Sequence, residues 1–320
     1  MLKPLTLALA ISSLLMSGAS MANNLTVGFS QIGSESGWRA AETSVAKTEA
    51  AKRGITLKVS DAQQKQENQI KAVRSFIAQG VDAIFIAPVV QTGWEPVLEE
   101  AKDYDIPVFL LDRTVDVDDN SLYMTSVAAN DVLEGEVAAH WLVNKVKDRD
   151  NCNVVELQGT VGSSVAIERK EGFDKTIKDV KNIHVTRTQS GEFTRSKGKE
   201  VMESFIKAEN NGKSICAVFS HNDDMAIGAI QAIKEAGLQP GKDILIVSID
   251  AVPDIFRAML KGETNATVEL TPNMAGPAFD ALISYKEKGI VPPKKIVTKS
   301  TLFLPKDAAK ELEIKKNLGY

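Results

Sequence analysis

Pro107-Val108-Phe109-Leu110-Leu111-Asp112-Arg113 runs four apolar residues from a proline straight into a carboxylate beside a guanidinium. A short apolar run bounded this way reads as a strand buried on both faces of a parallel sheet. Its polar end then emerges at the carboxyl edge, where open α/β sheets hold their ligands. Asp112 and Arg113 are therefore candidates for gripping a small molecule, with a strand-end ion pair or helix cap as the alternative. Which reading holds depends on how many other strands end alike.

Working outward, the chain alternates. Strands are expected at Leu25–Gln31, Ile55–Asp61, Ala83–Ala87, Val108–Arg113 and Leu122–Val127, with helices at Gly37–Arg53, Gln66–Gln79 and Gly93–Asp103 between them. After Val127 the rhythm restarts: helix Asp131–Val146, strand Asn153–Gln158, helix Val165–Lys178, strand Ile183–Gln189, helix Arg195–Asn210 and strand Ala217–Ser220. Helix Asp224–Ala236, strand Ile244–Asp250, a short helix to Lys261 and strand Ala266–Leu270 complete it, before a helix at Met274–Lys288 and one final strand at Ile296–Leu304. Strands separated by single helices are βαβ units. The repeat predicts an α/β fold of two similar doubly wound parallel-sheet lobes.

Met1–Ala22 carries one lysine, an apolar run and the small-x-small site Ser20-Met21-Ala22, which reads as a secretory signal peptide cleaved after Ala22. An exported, periplasmic protein is expected, and losing Lys3 moves the formal net charge from −4 to −5. Mild acidity with scattered charges gives no footprint for nucleic acid. Cys152 and Cys216 are the only cysteines in the 320 residues, and in an exported chain such a pair suggests a disulfide. Both precede strands, at the edge opposite the ligand. Three scattered histidines and no third cysteine argue against a metal site, and no cofactor is expected.

The expected carboxyl edge collects Gly33-Ser34-Glu35-Ser36-Gly37-Trp38-Arg39, Asp61-Ala62-Gln63-Gln64, Asp112-Arg113, Ile167-Glu168-Arg169, Ser220-His221-Asn222-Asp223-Asp224, Ser248-Ile249-Asp250-Ala251 and Val268-Glu269-Leu270. Capping accounts for many of the acids, Asp223 and Asp224 above all. It does not account for Trp38, Arg39, Arg113 and Arg169, because large or cationic side chains have no use at a helix amino end. An aromatic face amid carboxylates, amides and guanidiniums suits a polyol, whose hydroxyls both donate and accept. Acids roughly match arginines, which favours a neutral sugar over an anion.

The motifs Gln79-Gly80-Val81-Asp82-Ala83-Ile84, Ile106-Pro107-Val108 through Asp112-Arg113, Ser220 through Ala226, and Asp250-Ala251-Val252-Pro253 resemble the type I periplasmic sugar-binding proteins of the ribose/galactose group. The segment Gly33 through Glu42, with Gln63 through Gln69 and Val154 through Thr160, is most similar to the galactofuranose-binding branch serving sugar ABC transporters. Ribose-type members tend to carry aromatics where this chain has Glu35-Ser36-Gly37-Trp38-Arg39, a departure favouring a ligand with more hydroxyls than ribose. The resemblance implies sugar contacts at Glu35, Ser36, Gly37, Trp38, Arg39, Asp112, Arg113, Arg169, Asn222 and Asp250, a stacking aromatic at Phe193 and a hinge-side contact at Glu269.

It also implies lobes of 23–127 plus 271–298 and 128–270 plus 299–320, joined by three strand crossings near Val127, Leu270 and Thr298. The implied partners are a monosaccharide, galactofuranose, and the inner-membrane permease of an ABC transporter, with the protein a monomer. Competing readings are a binding protein for ribose, arabinose or galactopyranose, a sugar-sensing ectodomain, and a glycosidase built on Asp112, Asp250 or Glu269. Against the last, nearby arginines are expected to suppress the raised pKa a general acid needs. Arg169 is expected to serve the ligand and not the ligand-free fold.

Overall fold

A computed structural model describes residues 25–316; the signal-peptide reading of Met1–Ala22 lies outside them. The first half forms β1 (Thr26–Gln31), α1 (Gly37–Lys52), β2 (Thr56–Asp61), α2 (Gln66–Ala78), β3 (Ala83–Ile86), α3 (Glu95–Asp103), β4 (Val108–Leu111) and β5 (Thr125–Ala128). The second forms α4 (Asp131–Val146), β6 (Cys152–Gln158), α5 (Ser164–Ile177), β7 (Ile183–Ser190), α6 (Arg195–Ala208), β8 (Ala217–Ser220), α7 (Asp223–Glu235), β9 (Leu245–Asp250), α8 (Pro253–Leu260) and β10 (Ala266–Glu269). Then follow α9 (Ala275–Lys288), β11 (Lys295–Val297), β12 (Leu302–Phe303) and α10 (Ala308–Lys315).

The strands make two six-stranded sheets, β11-β5-β4-β3-β1-β2 and β12-β10-β9-β8-β6-β7. Stripped of β11 and β12, both orders are the same, 2-1-3-4-5 counted within each half, so the sequence repeat is a structural repeat. The order reverses between β1 and β3 and between β6 and β8, the switch points beside which such sheets bind ligands. The opening strand behaves as its composition requires. Phe109 and Leu111 pack on one face, while Val108 and Leu110 pack on the other with Ile84 and Ile86. Phe85 meets Phe279 of α9 at 4.9 Å between ring centroids. Each such buried side chain contributes roughly 1.5–3 kcal/mol, so a four-residue strand anchors two layers at once.

The single final strand expected at Ile296–Leu304 is instead two. β11 runs parallel beside β5 in the first sheet, and β12 runs antiparallel beside β10 in the second. Lys299 and Ser300 fall between them, where the chain passes from one sheet to the other. Apolar residues on both sides hid this break, because short half-exposed edge strands carry little pattern. Cys152 and Cys216 form a disulfide, with Cα atoms 5.0 Å apart, at the amino ends of the paired strands β6 and β8.

Candidate functional site

The carboxyl ends of the two sheets face each other across a cavity of about 260 Å³, lined by Glu35, Ser36, Trp38, Arg39, Asp112 and Arg113 from one side and Val165, Arg169, Phe193, Asn222, Asp250 and Leu270 from the other. Ten residues expected from the sequence thus meet here. Direct hydrogen bonds close the walls: Gly37 N–H to Asp224 Oδ2 at 2.7 Å, Thr114 N–H to Ser164 Oγ at 3.0 Å, and Gln91 N–H to the Gly162 carbonyl at 2.9 Å.

Local structure explains how each wall is built. Ser36 caps α1 by accepting from Arg39 N–H, which sets Trp38 and Arg39 on the first turn. The Trp38 indole N–H is spent on the Leu270 carbonyl at 2.8 Å, so the ring offers the cavity apolar area only. Arg39 reaches Glu35 at 3.2 Å and Asp112 at 2.6 Å, and also pairs with the fully buried Glu42. Arg113 gives Nη1 to the Val89 carbonyl at 2.9 Å and lies 5.0 Å over the Phe193 ring from the opposite wall. Burial, and after it the charge of Arg39, brings the Arg113 pKa down to about 10, leaving it cationic at neutral pH. Phe193 is seated by Gly159, where any Cβ would lie 1.9 Å from its ring.

On the second wall Arg169, only 1% exposed, bonds Glu134 through Nε at 3.0 Å and the His221 carbonyl through Nη1, with Asp131 at 3.5 Å and Asp250 at 3.9 Å. Asp112, Phe193 and Asp250 hold φ of 64°, 60° and 120°. Such backbone costs of order 1–3 kcal/mol each and persists where surrounding packing enforces it, as at binding sites.

Three guanidiniums thus face six carboxylates: Glu35, Glu42, Asp112, Asp131, Glu134 and Asp250. Glu35 Oε2 and Asp112 Oδ1 are buried with no protein partner. Burial pushes the Asp131, Glu134 and Asp250 carboxyls upward despite Arg169. For Asp250 the expectation that arginines would hold the acid low is therefore overturned, because lost hydration outweighs attraction at this depth. Arg169 is likewise not a ligand contact alone, since it is the cation that three buried acids share.

Glu269 and Gly37 do not line the cavity. The Glu269 carboxylate bonds Lys315 of α10 at 2.7 Å, and Gly37 contributes its backbone N–H across the cleft. Asn222, not Asp223 or Asp224, caps α7, its Oδ1 accepting from Met225 N–H and its Nδ2 donating to the Phe193 carbonyl. Asp223 is buried against Ser248, Thr267 and the Val252 N–H, and burial raises its pKa to about 7. Sequence reading missed Val165 and Leu270. Val165 lies four residues before Arg169 on one helix face, a spacing that could have found it.

A periplasmic binding protein domain model matches residues 27–286. The chain is 70% identical to the galactofuranose-binding protein YtfQ of Escherichia coli (strain K12) over all of both chains. A solved galactofuranose-binding protein superposes with a TM-score of 0.92 at 73% identity, over 92% of this chain and 100% of that one. The binding-protein component of an arabinose ABC transporter from Shewanella sp. ANA-3, bound to α- and β-L-arabinofuranose, gives 0.88 at 58% identity, over 91% of this chain and 95% of that one.

Proposed function

We propose, from the premise that the chain belongs to the periplasmic binding protein family, that it captures galactose in its furanose form and delivers it to an ABC transporter permease. The observation carrying this reading is the composition of the closed cavity: three carboxylates matched to three guanidiniums, two lining carboxylate oxygens that have no hydrogen-bond partner among the described residues, and one indole face. Sugar hydroxyls donate to the free oxygens and accept from Arg39, Arg113, Arg169 and the Asn222 amide, while Trp38 and Phe193 cover C–H faces. With lining carboxylates and guanidiniums matched and three further acids buried behind the arginines, an anion gains no net attraction here. Relatives named for galactofuranose and solved with arabinofuranose support a five-membered ring.

The lobes proposed to move are 23–127 with 271–298 and 128–270 with 299–320, turning about the three crossings. Each wall offers only part of the ligand's partners, so the closed form is favoured when sugar bridges both. Membership in the family supports export to the periplasm and binding without turnover; cleavage after Ala22 rests on the small-x-small site Ser20-Met21-Ala22, and action as a monomer completes the proposal. The test is calorimetric titration of ligand-stripped protein with galactose and, in parallel, ribose, glucose and arabinose. Galactose is mostly pyranose in water, so a furanose-selective site shows an apparent affinity reduced by the minor fraction. Binding of galactose with a furanose ring in the bound state upholds the reading; tighter binding of ribose, or none of the four, overturns it.

A further inference from the structure

Arg169 is controlled by a residue outside the cavity. Glu134, fully buried, accepts from Arg169 Nε at 3.0 Å on Oε2 and from the Ser300 hydroxyl at 2.8 Å on Oε1. Ser300 lies on the crossing between β11 and β12, and its neighbours tie that crossing to the other two. Thr298 N–H donates to the Ala128 carbonyl at 2.9 Å, at the end of β5, and the Thr301 carbonyl accepts from Glu269 N–H at 2.8 Å, at the end of β10. The Ser300 hydroxyl therefore stands where all three inter-lobe segments meet. It shares one carboxylate with a guanidinium that lines the cavity.

We propose that Ser300 is a positioning residue for sugar binding, coupling the angle of the crossings to the placement of Arg169 through Glu134. The proposal rests on the sugar-binding reading above. Ser300 lies two residues past the pivot near Thr298, within the stretch that absorbs the rotation, so turning of the lobes shifts its hydroxyl relative to α4, which carries Glu134. The Ser300–Glu134 bond forms only near the closed angle. With it formed, the second carboxylate oxygen is aimed at Arg169 Nε. Opening removes that support and loosens the guanidinium, so grip and closure change together.

The test is a double-mutant cycle read by galactose calorimetry on the wild type, Ser300→Ala, Glu134→Gln and the double variant. Ser300→Ala is expected to weaken binding about tenfold, and the double variant to bind no worse than Glu134→Gln alone, as for residues acting in series. Ser300→Thr keeps the hydroxyl and should bind within about twofold of the wild type. Losses that simply add, or a Ser300→Ala protein that binds like the wild type, overturn the proposal. A second readout is the Arg169 Nε proton, followed by NMR in the sugar-saturated, closed protein, where it should exchange faster in Ser300→Ala than in the wild type. An unchanged rate also overturns the relay. A wild type that binds no galactose defeats the sugar reading and the relay with it, whereas a wild type that binds beside an unaffected Ser300→Ala defeats the relay alone.

Discussion

In the first lobe the cavity arginine is held largely by its own stretch of chain, since Glu35 and Glu42 lie within four residues of Arg39. In the second, Arg169 depends on α4, on a carbonyl after β8 and, through Glu134, on the crossing at Ser300. The same strand order thus supports a locally assembled wall and a distantly assembled one. The Arg39 cluster needs only α1, the turn before it and the end of β4, which carries Asp112. The distant wall exists only when the second lobe and the crossings are all in place.

The strongest way to break this contrast is Arg169→Met, expected to abolish galactose binding and to cost the ligand-free protein about 3–5 kcal/mol, because Asp131 and Glu134 lose their shared cation. Burial already raises both carboxyls above their unfolded values. The loss should therefore be full near neutral pH and shrink as pH falls, vanishing only below the unfolded carboxyl range of about 4, where the acids are protonated in both states. Urea unfolding across pH checks it. Arg39→Met should also end binding but cost less, about 1–3 kcal/mol, because Glu42 keeps the Gln31 amide at 2.9 Å.

Replacing Cys152 and Cys216 by serine is expected to lower stability by about 4 kcal/mol, from the chain entropy released when a 64-residue separation is no longer closed. The bond sits at the edge away from the cavity, so calorimetry should show sugar affinity unchanged. A loss of affinity would mean the second wall depends on the whole lobe and not on its carboxyl edge. Gly135→Ala sharpens the contrast more finely. Its Cβ would lie 2.1 Å from the Arg169 carbonyl, forcing α5 away from α4. A stability loss of about 1–3 kcal/mol with weakened binding is expected from thermal unfolding and titration.

The smallest effect is expected at the mouth of the cleft. Asp224→Ala removes the acceptor that Gly37 N–H meets across the lobes. A lost helix-end acceptor is worth about 1 kcal/mol, so affinity for galactose should fall roughly fivefold while the ranking of sugars stays as before. A changed ranking in competition titrations would make Asp224 part of the recognition surface.

What the sequence made legible follows the same division. Runs apolar on both faces, such as Val108–Leu111, announce a buried parallel sheet, and polar residues at their ends announce the cavity. Beside α1, Glu35, Trp38 and Arg39 could be read because they are neighbours in sequence, whereas Glu42, one turn further on and bonded to Arg39, was not singled out. Ser300 could not be found, because its partner lies 166 residues away and nothing local marks a serine on a crossing. Glu269 was misplaced for the same reason: its ion pair is with Lys315, a distant lysine that α10 buries. Asn222 was read as a contact and is also a cap. One short polar side chain at a helix start lines the cavity and caps α7 at once.

The late position of α9 and β11 has a consequence for the order in which a nascent chain can fold. α9 packs its Phe279 on Phe85 of the first sheet, and β11 covers the edge of β5, yet both follow β10 in the chain. During synthesis from the amino end, the lobe that begins first is not the one that can be completed first. Its open edge and bare aromatic face must wait while the five parallel strands of the other lobe emerge. Unpaired strand edges are templates for mispairing. A ribosome-bound intermediate ending after β10 should therefore be the most aggregation-prone length of this chain, with a nearly finished second lobe tethered to an unfinished first one.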